Sequence, residues 1–277
     1  MSIRNLQHIA LAVPDATVGK KFYTDFGLEG RDYDKRVVMR CYGREQDQVV
    51  LVEGGKKHMH HVSFGTRAED LEAVKRRLQQ NGTMLVDAPK ETPYEGIWFR
   101  DPDGLLVNVR VAEPKPWRSA PEWKINNPGH LNRSGIPGHP RRDLQVWPTR
   151  LGHTLRFTPQ MDRMVDFYTR VCGMKQLQTI KLDYMDEVIV GYSPEGTTSK
   201  GSRLVLMHWT DGSKRNYKDN PIKLVLGVPD AKAVADRIRA EGLEIVREPA
   251  PSKVSGNLVG FAKDPDGYLI ELLQVKR

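Results

Sequence analysis

The most constraining feature of this sequence is that it repeats itself. Three runs recur in the same order along the chain: Leu6–Leu11 as Leu151–Arg156, Phe22–Thr24 as Phe167–Thr169, and Asp101–Gly104 as Asp264–Gly267. The first two pairs are offset by 145 residues and the third by 163. Two halves of about 120 residues therefore share one plan, and the second half carries extra residues in its middle. Such a chain is expected to fold as two related domains.

Within each half the hydrophobic pattern divides again, into two modules. Each module begins with an apolar strand, continues with an amphipathic helix and closes with short strands. The predicted opening strands are His8–Val13, His61–Phe64, His153–Phe157 and Lys223–Leu226, and the clearest predicted helices are Ala68–Gln79 and Ala231–Ala240. The pattern therefore predicts an α+β fold of four βαβββ modules in two pairs.

A segment rich in proline and basic residues separates the two halves. Residues 114–148 contain seven of the 18 prolines, and residues 115–150 hold seven Lys or Arg against two Asp or Glu. A stretch of this length and composition is typical of a linker or a functional loop. We therefore predict an N-terminal domain over residues 1–113, a basic linker or loop over 114–148, and a C-terminal domain over 149–277.

The net charge of +8 raises the question of a nucleic-acid partner. The chain has no zinc-finger, helix-turn-helix or RNA-binding pattern, so we predict none. A basic wall that attracts an anionic small molecule explains the charge better. No apolar run approaches the roughly 18 residues of a membrane span, and the two distant cysteines, Cys41 and Cys172, form no disulfide framework. We therefore expect a cytoplasmic protein without a membrane partner.

Four motifs resemble those of a known superfamily. They are His60–Phe64 (HHVSF), Trp98–Gly104 (WFRDPDG), Phe167–Met174 (FYTRVCGM) and Val190–Gly196 (VGYSPEG). Together they resemble the vicinal oxygen chelate superfamily, which includes glyoxalase I, the bleomycin-resistance proteins and the type I extradiol dioxygenases. The arrangement in two pairs is similar to that of the two-domain dioxygenases. The resemblance implies that the four modules pair into two cup-shaped half-barrel domains.

The resemblance also implies where a divalent metal binds inside a cup. The three ligand positions are, in order, His8, His61 and Asn108 in the first half, and His153, Lys223 and Glu271 in the second. Neither half holds two histidines and a carboxylate. Lys223 replaces a ligand in the second half, and a protonated lysine has no lone pair to give to a metal. Asn108 replaces one in the first half, and an amide oxygen suits only hard cations. On this basis we predict His153, Glu271, His8 and His61 as metal ligands.

Several residues are candidates for the missing ligand. His208 precedes Lys223 by 15 residues, and His130 and His139 lie in the linker. The resemblance also implies an acid–base histidine near His208, so we predict His208 and Lys223 as catalytic residues. Because modules pair within or across halves in different members, the pairing stays open. In the alternative interpretation, Lys223 and Glu271 form a salt bridge where a metal used to be.

The resemblance implies a metal-dependent, extradiol-dioxygenase-like oxidoreductase acting on a catecholic or other vicinal-oxygen molecule, with Fe(II) as the metal, or Mn, Ni or Zn instead. Two other functions remain open. One is a glyoxalase-like lyase, isomerase or epimerase, in which a carboxylate such as Glu271 moves a proton. The other is a metal-free binding protein of the bleomycin-resistance kind. The expected partners are an aromatic or anionic small molecule and further copies of the chain in a homo-oligomer.

Overall fold

The computed structural model describes residues 3–25, 27–41, 45–112, 150–191, 203–212 and 222–274. The first half contains β1 (Asn5–Val13), α1 (Ala16–Asp25), β2 (Leu28–Tyr33), β3 (Arg36–Cys41), β4 (Val49–Glu53), β5 (His58–Thr66), α2 (Ala68–Gln80), β6 (Leu85–Val86), β7 (Ile97–Arg100) and β8 (Leu106–Val111). The second contains β9 (Arg150–Phe157), α3 (Met161–Asp166), β10 (Lys175–Leu182), β11 (Met185–Gly191), β12 (Arg203–Trp209), β13 (Ile222–Val228), α4 (Ala231–Ala240), β14 (Ile245–Pro251), β15 (Leu258–Lys263) and β16 (Leu269–Gln274).

The strands form two eight-stranded sheets of equivalent topology. The first sheet has the order β2-β3-β4-β1-β5-β8-β7-β6, and the second has the order β10-β11-β12-β9-β13-β16-β15-β14. The two opening strands of each half pair with each other in antiparallel fashion at the centre of the sheet. The described modules therefore pair within each half, and the predicted α+β fold of paired βαβββ modules is confirmed.

Two helices begin at the same local motif. Val-Pro-Asp-Ala follows β1 and again follows β13. In both places the aspartate caps the helix: the Oδ1 of Asp15 accepts from the Thr17 amide at 2.7 Å, and that of Asp230 accepts from the Lys232 and Ala233 amides at 3.0 Å. These bonds satisfy helix N–H groups that have no partner within the helix, which explains why the chain turns there.

One predicted helix has a different form from its counterpart in the other half. Around Phe167–Tyr168 the chain leaves α3 and continues as a single π-helical segment, Phe167–Val171. Gly173 follows the end of this segment, and its φ of 76° suits a residue without a Cβ. The wider turn brings Phe167, Tyr168 and Val171 together on the buried side.

The Asp-Pro-Asp-Gly turns join the two halves. In each turn the first aspartate binds its own backbone and also reaches the tyrosine of the opposite half. Asp264 accepts from the Tyr23 hydroxyl at 3.0 Å, and Asp101 accepts from the Tyr168 hydroxyl at 3.1 Å. Asp101 also pairs with Arg156 at 3.1 Å. The turns thus have a structural role, and they connect the two sheets.

One face of each sheet packs in the main core, and the other face carries a smaller hydrophobic cluster. The main core contains side chains from both halves, such as Phe64, Phe99 and Tyr168. On the other face the first sheet carries the cluster Ala10, Val38, Val50 and Val52, and the second carries Leu155, Met185, Val205 and Met207. We call these two faces the first cup and the second cup.

The predictions about a membrane span and about the linker remain to be compared with the structure. No helix among the described residues is long and apolar enough to cross a membrane. The predicted linker, residues 114–148, lies outside the described residues, and so do His130 and His139.

Candidate functional site

The second cup brings together three of the predicted site residues. His153 pairs with Val225 across β9 and β13, and Val225 pairs with Glu271 across β13 and β16. Directly opposed residues share a face of a sheet, so His153 and Glu271 lie in one row on the same side. Lys223 pairs with Leu155 of the second-cup cluster and therefore faces the same side, one row further along.

Lys223 and Glu271 form a nearly buried ion pair in this cup. The Lys223 Nζ lies 2.5 Å from the Glu271 Oε2, and the two side chains are 9% and 11% exposed. The same Nζ lies 4.8 Å from the centre of the Phe261 ring, a cation–π contact. Since the charges neutralise each other at short range, the pair replaces much of the hydration that both groups lose on burial.

Glu187 is a second carboxylate of this cup, and the sequence analysis missed it. It pairs with Met207 of the second-cup cluster and is half-buried. Burial raises its pKa, Lys223 opposes that rise, and the negative charge of Glu271 adds to it. The sequence could have revealed this residue, because Glu187 and Val188 are neighbours on a strand and face opposite sides of the sheet. Val188 packs in the main core, so Glu187 faces the cup.

Aromatic rings line the end of the second cup that is far from His153. Trp209 stacks on Phe157 with ring centres 5.7 Å apart and on Tyr184 at 6.1 Å. Phe157 and Trp209 pack on the second-cup cluster. The cup therefore offers a charged end and a flat aromatic end, an arrangement that suits a small planar molecule with polar oxygens.

His208 does not join this group. Its neighbours Val205 and Met207 face the second cup, whereas Leu204 and Leu206 pack in the main core. Because side chains alternate along a strand, His208 lies on the face of Leu204 and Leu206. Its Nδ1 lies 2.9 Å from the Thr158 carbonyl oxygen. The His208 side chain therefore lies on the opposite side of the sheet from Lys223 and Glu271, and its predicted acid–base role remains a prediction.

The first cup brings His8 and His61 together. Their Nε2 atoms are 2.8 Å apart, and the Nδ1 of His61 lies 2.8 Å from that of His60. Burial lowers the pKa of both His8 and His61 well below the ordinary value. Nearby positive charge, including that of Arg110, lowers both further. Both imidazoles are therefore neutral at pH 7.

The third position of the first cup holds Asn108, whose side-chain oxygen and nitrogen already have hydrogen-bond partners. Its Oδ1 accepts from the Ser63 hydroxyl at 2.7 Å, and its amide donates to the carbonyl oxygens of Glu95 and Ile97. Trp98 pairs with Asn108 across the strands, and its ring lies 4.9 Å from that of His61. Asn108 therefore acts as a structural link from β8 to β5, to β7 and to the loop that precedes β7.

The described residues do not form a complete metal site in either cup. No group of three or more His, Cys, Asp or Glu among them is arranged to hold a metal ion. In the second cup an ammonium group stands at the second ligand position and takes an oxygen of Glu271. In the first, two imidazoles converge without a carboxylate. The predicted ligands His8 and His61 are thus separated from His153 and Glu271 into different cups.

Comparison with known proteins agrees with this fold. The family model "Glyoxalase/Bleomycin resistance protein/Dioxygenase superfamily" matches residues 5–109 and 150–272. Metapyrocatechase 2 of Cupriavidus necator is 30% identical over 180 residues, which is 63% of this chain and 53% of that protein. The match therefore spans about half the length of that relative.

Solved structures show the same arrangement of both halves. Catechol 2,3-dioxygenase superposes with a TM-score of 0.75 at 16% identity, covering 100% of this chain and 90% of the other. The Mn(II)-bound glyoxalase from Novosphingobium aromaticivorans gives 0.71 at 17% identity, covering 99% and 82%. Identities this low establish the fold alone. The family-model match over both halves shows that this chain belongs to the glyoxalase/bleomycin resistance protein/dioxygenase superfamily.

Proposed function

We propose that this protein binds and processes a small molecule with two adjacent oxygen atoms in its second cup, and that Lys223 and Glu271 interact with those oxygens. The observation that carries the proposal is the ion pair itself. A cation and a carboxylate, about 10% exposed, stand at two of the three positions where the superfamily resemblance places ligands. The stacked rings of Phe157 and Trp209 support a planar, catechol-like or other aromatic molecule.

The chemistry of the pair suits proton transfer. The Lys223 ammonium stabilises a negative oxygen, such as a phenolate or an enolate, because the low exposure of the site strengthens the attraction. The Glu271 carboxylate, once released from Lys223 by the substrate oxygen, accepts a proton from the substrate. Glu187, whose pKa is raised, is placed in the same cup to receive or return that proton. This supports the glyoxalase-like isomerase or epimerase alternative.

A resident metal in the second cup does not fit the described residues. A divalent ion would meet the Lys223 ammonium, which repels it and has no lone pair to offer. The Fe(II)-dependent, catechol-cleaving dioxygenase remains the second candidate function, and what favours it is the likeness to metapyrocatechase 2 and to catechol 2,3-dioxygenase.

Calorimetric titration with catechol tests the binding proposal. We expect the wild-type chain to bind catechol and Lys223→Met to bind it at least tenfold more weakly. Lys263→Met is the matched control, since Lys263 also pairs with a glutamate, Glu244 at 2.8 Å, on an exposed part of the same domain. Lys223→Met leaves the Glu271 carboxylate buried without its partner, which could disturb folding. The double variant K223M/E271M avoids this, because it leaves neither charge of the pair. Equal affinity in all four proteins would refute the proposal.

Metal analysis and oxygen consumption separate the two candidate functions. We expect freshly purified protein to hold no stoichiometric iron, manganese, nickel or zinc, and to consume no oxygen with catechol. Stoichiometric iron that disappears in both His153→Ala and Glu271→Ala, together with oxygen uptake, would instead establish the dioxygenase. Deuterium exchange into an α-hydroxy ketone, lost in Glu271→Gln, would support the proton-transfer reaction.

A further inference from the structure

The first cup is strongly electropositive, although no function has been assigned to it so far. Arg36, Arg40 and Arg110 lie on strands β3 and β8 around it. Arg40 is neutralised by Asp47, at 2.6 Å. Among the described residues, neither Arg36 nor Arg110 forms an ion pair. Two guanidinium charges at this cup are therefore not compensated by an acidic side chain of the described residues.

Three buried nitrogen atoms in this region have no hydrogen-bond partner within the part of the chain that the structure describes. They are the Nε atoms of Arg36 and Arg110 and the Nδ1 of His8. His8 is fully buried. Its Nδ1 carries a proton when its Nε2 accepts from His61, so all three atoms can be donors. Buried donors are almost always paired in native proteins, and an unpaired group calls for a ligand or another explanation.

The three residues converge on the ring of Tyr94. The ring centre lies 4.9 Å from the Arg110 Cζ, 5.8 Å from the Arg36 Cζ and 4.5 Å from the His8 ring. Tyr94 lies between β6 and β7, and its hydroxyl donates to Asp47 at 3.3 Å. The nearby loop acid Glu91 meets Arg36 only through its backbone carbonyl oxygen. The unpaired donors thus surround one half-buried side chain on a connecting loop.

We propose that the first cup is an oxyanion site, in which Arg36, Arg110 and His8 bind a carboxylate or phosphate group beneath Tyr94. Charge-assisted N–H donors of guanidinium groups bind such anions strongly, and each of the two arginines offers an Nε–H. The same positive charge repels a divalent cation from the His8–His61 pair. The site is separate from the second cup, so it does not depend on the function proposed there.

Thermal unfolding of the full chain at constant ionic strength, with sodium chloride as the balancing salt, tests this site. The probes are inorganic phosphate in one series and acetate in the other. We expect at least one of them to raise the Tm of the wild-type protein in a saturable way. Arg110→Met and Arg36→Met should weaken that binding at least tenfold, while Arg31→Met, at an exposed position of β2, should leave it unchanged.

Each outcome has a defined meaning. A response to phosphate alone assigns a phosphate group, a response to acetate alone assigns a carboxylate, and both support the oxyanion site. Arg110→Met should match or exceed the wild-type Tm in chloride, because it removes a positive charge that has no ion-pair partner among the described residues. This keeps a folding defect from imitating lost binding. No response in the wild-type protein, or equal responses in Arg110→Met and Arg31→Met, would overturn the proposal. So would stabilisation by Mn²⁺ that is lost in His8→Ala.

Discussion

The two cups are built on the same backbone plan and hold opposite chemistry. At corresponding positions the first cup has His8, His61 and Asn108, whereas the second has His153, Lys223 and Glu271. The first pairs neutral rings and leaves two guanidinium groups uncompensated. The second pairs a cation directly with an anion. The two halves therefore share the positions of the candidate site residues but differ in the charges at those positions.

The largest expected effect comes from changing the second cup toward a metal site. Lys223→His removes the ammonium and places an imidazole one row along the same face from His153 and Glu271, which yields two histidines and one carboxylate. We expect this variant to bind one Zn²⁺ or Fe²⁺ per chain at least a hundredfold more tightly than the wild-type protein. Equilibrium dialysis with elemental analysis measures this. Equally weak binding by both proteins would mean that these three positions do not converge.

The next effect concerns the ion pair itself. Lys223→Met leaves the Glu271 carboxylate buried without its partner, so we expect a loss of about 3–5 kcal/mol in the free energy of unfolding. The double variant K223M/E271M should recover most of that loss, because no lone charge stays buried. Urea denaturation measures both. Lys263→Met, which breaks an exposed pair, should cost less than about 1 kcal/mol, and a similar loss for Lys223→Met would contradict the pair's importance.

The hydrogen bond between Tyr23 and Asp264, which links the two halves, predicts that the free energy of unfolding depends on pH. Burial raises the pKa of Asp264 to about 6, above the unfolded value of roughly 3.9. The folded state therefore binds the proton more tightly, and the stabilisation from this group is complete below about pH 4 and is lost as the pH rises through 6. The difference in unfolding free energy between wild type and Asp264→Asn should shift against the wild type by about 2 kcal/mol between pH 4 and 7. A difference independent of pH would contradict this assignment.

The smallest expected effect comes from the two tyrosine–aspartate hydrogen bonds between the halves. Tyr23→Phe and Tyr168→Phe each remove a donor from a buried carboxylate, so we expect losses of about 1–3 kcal/mol. Tyr23→Phe should cost more, because Asp101 keeps its partner Arg156, whereas Asp264 loses its only side-chain donor among the described residues. Chemical denaturation of the two single variants measures this. The reverse order would show that Arg156 contributes little.

The repeat, the helices and the central strands could be predicted because their hydrophobic periodicity is strong. The predicted helix Ala68–Gln79 differs from α2 by one residue at its end. The strands that the pattern missed are β2, β6, β10 and β14, which are the four edges of the two sheets. Edge strands bury few side chains, and β10 is almost entirely exposed, so their sequences resemble loops.

The sequence by itself determined the duplication, the four modules and the unequal residues at the ligand positions, since these follow from periodicity and alignment of the two halves. Only the tertiary structure decided which charges meet. It brought Lys223 to Glu271, turned His208 away from the cup, and revealed Glu187 and the group around Tyr94. Such choices depend on strand register and on contacts between residues far apart in the chain, where a shift of one residue exchanges the two faces of a strand.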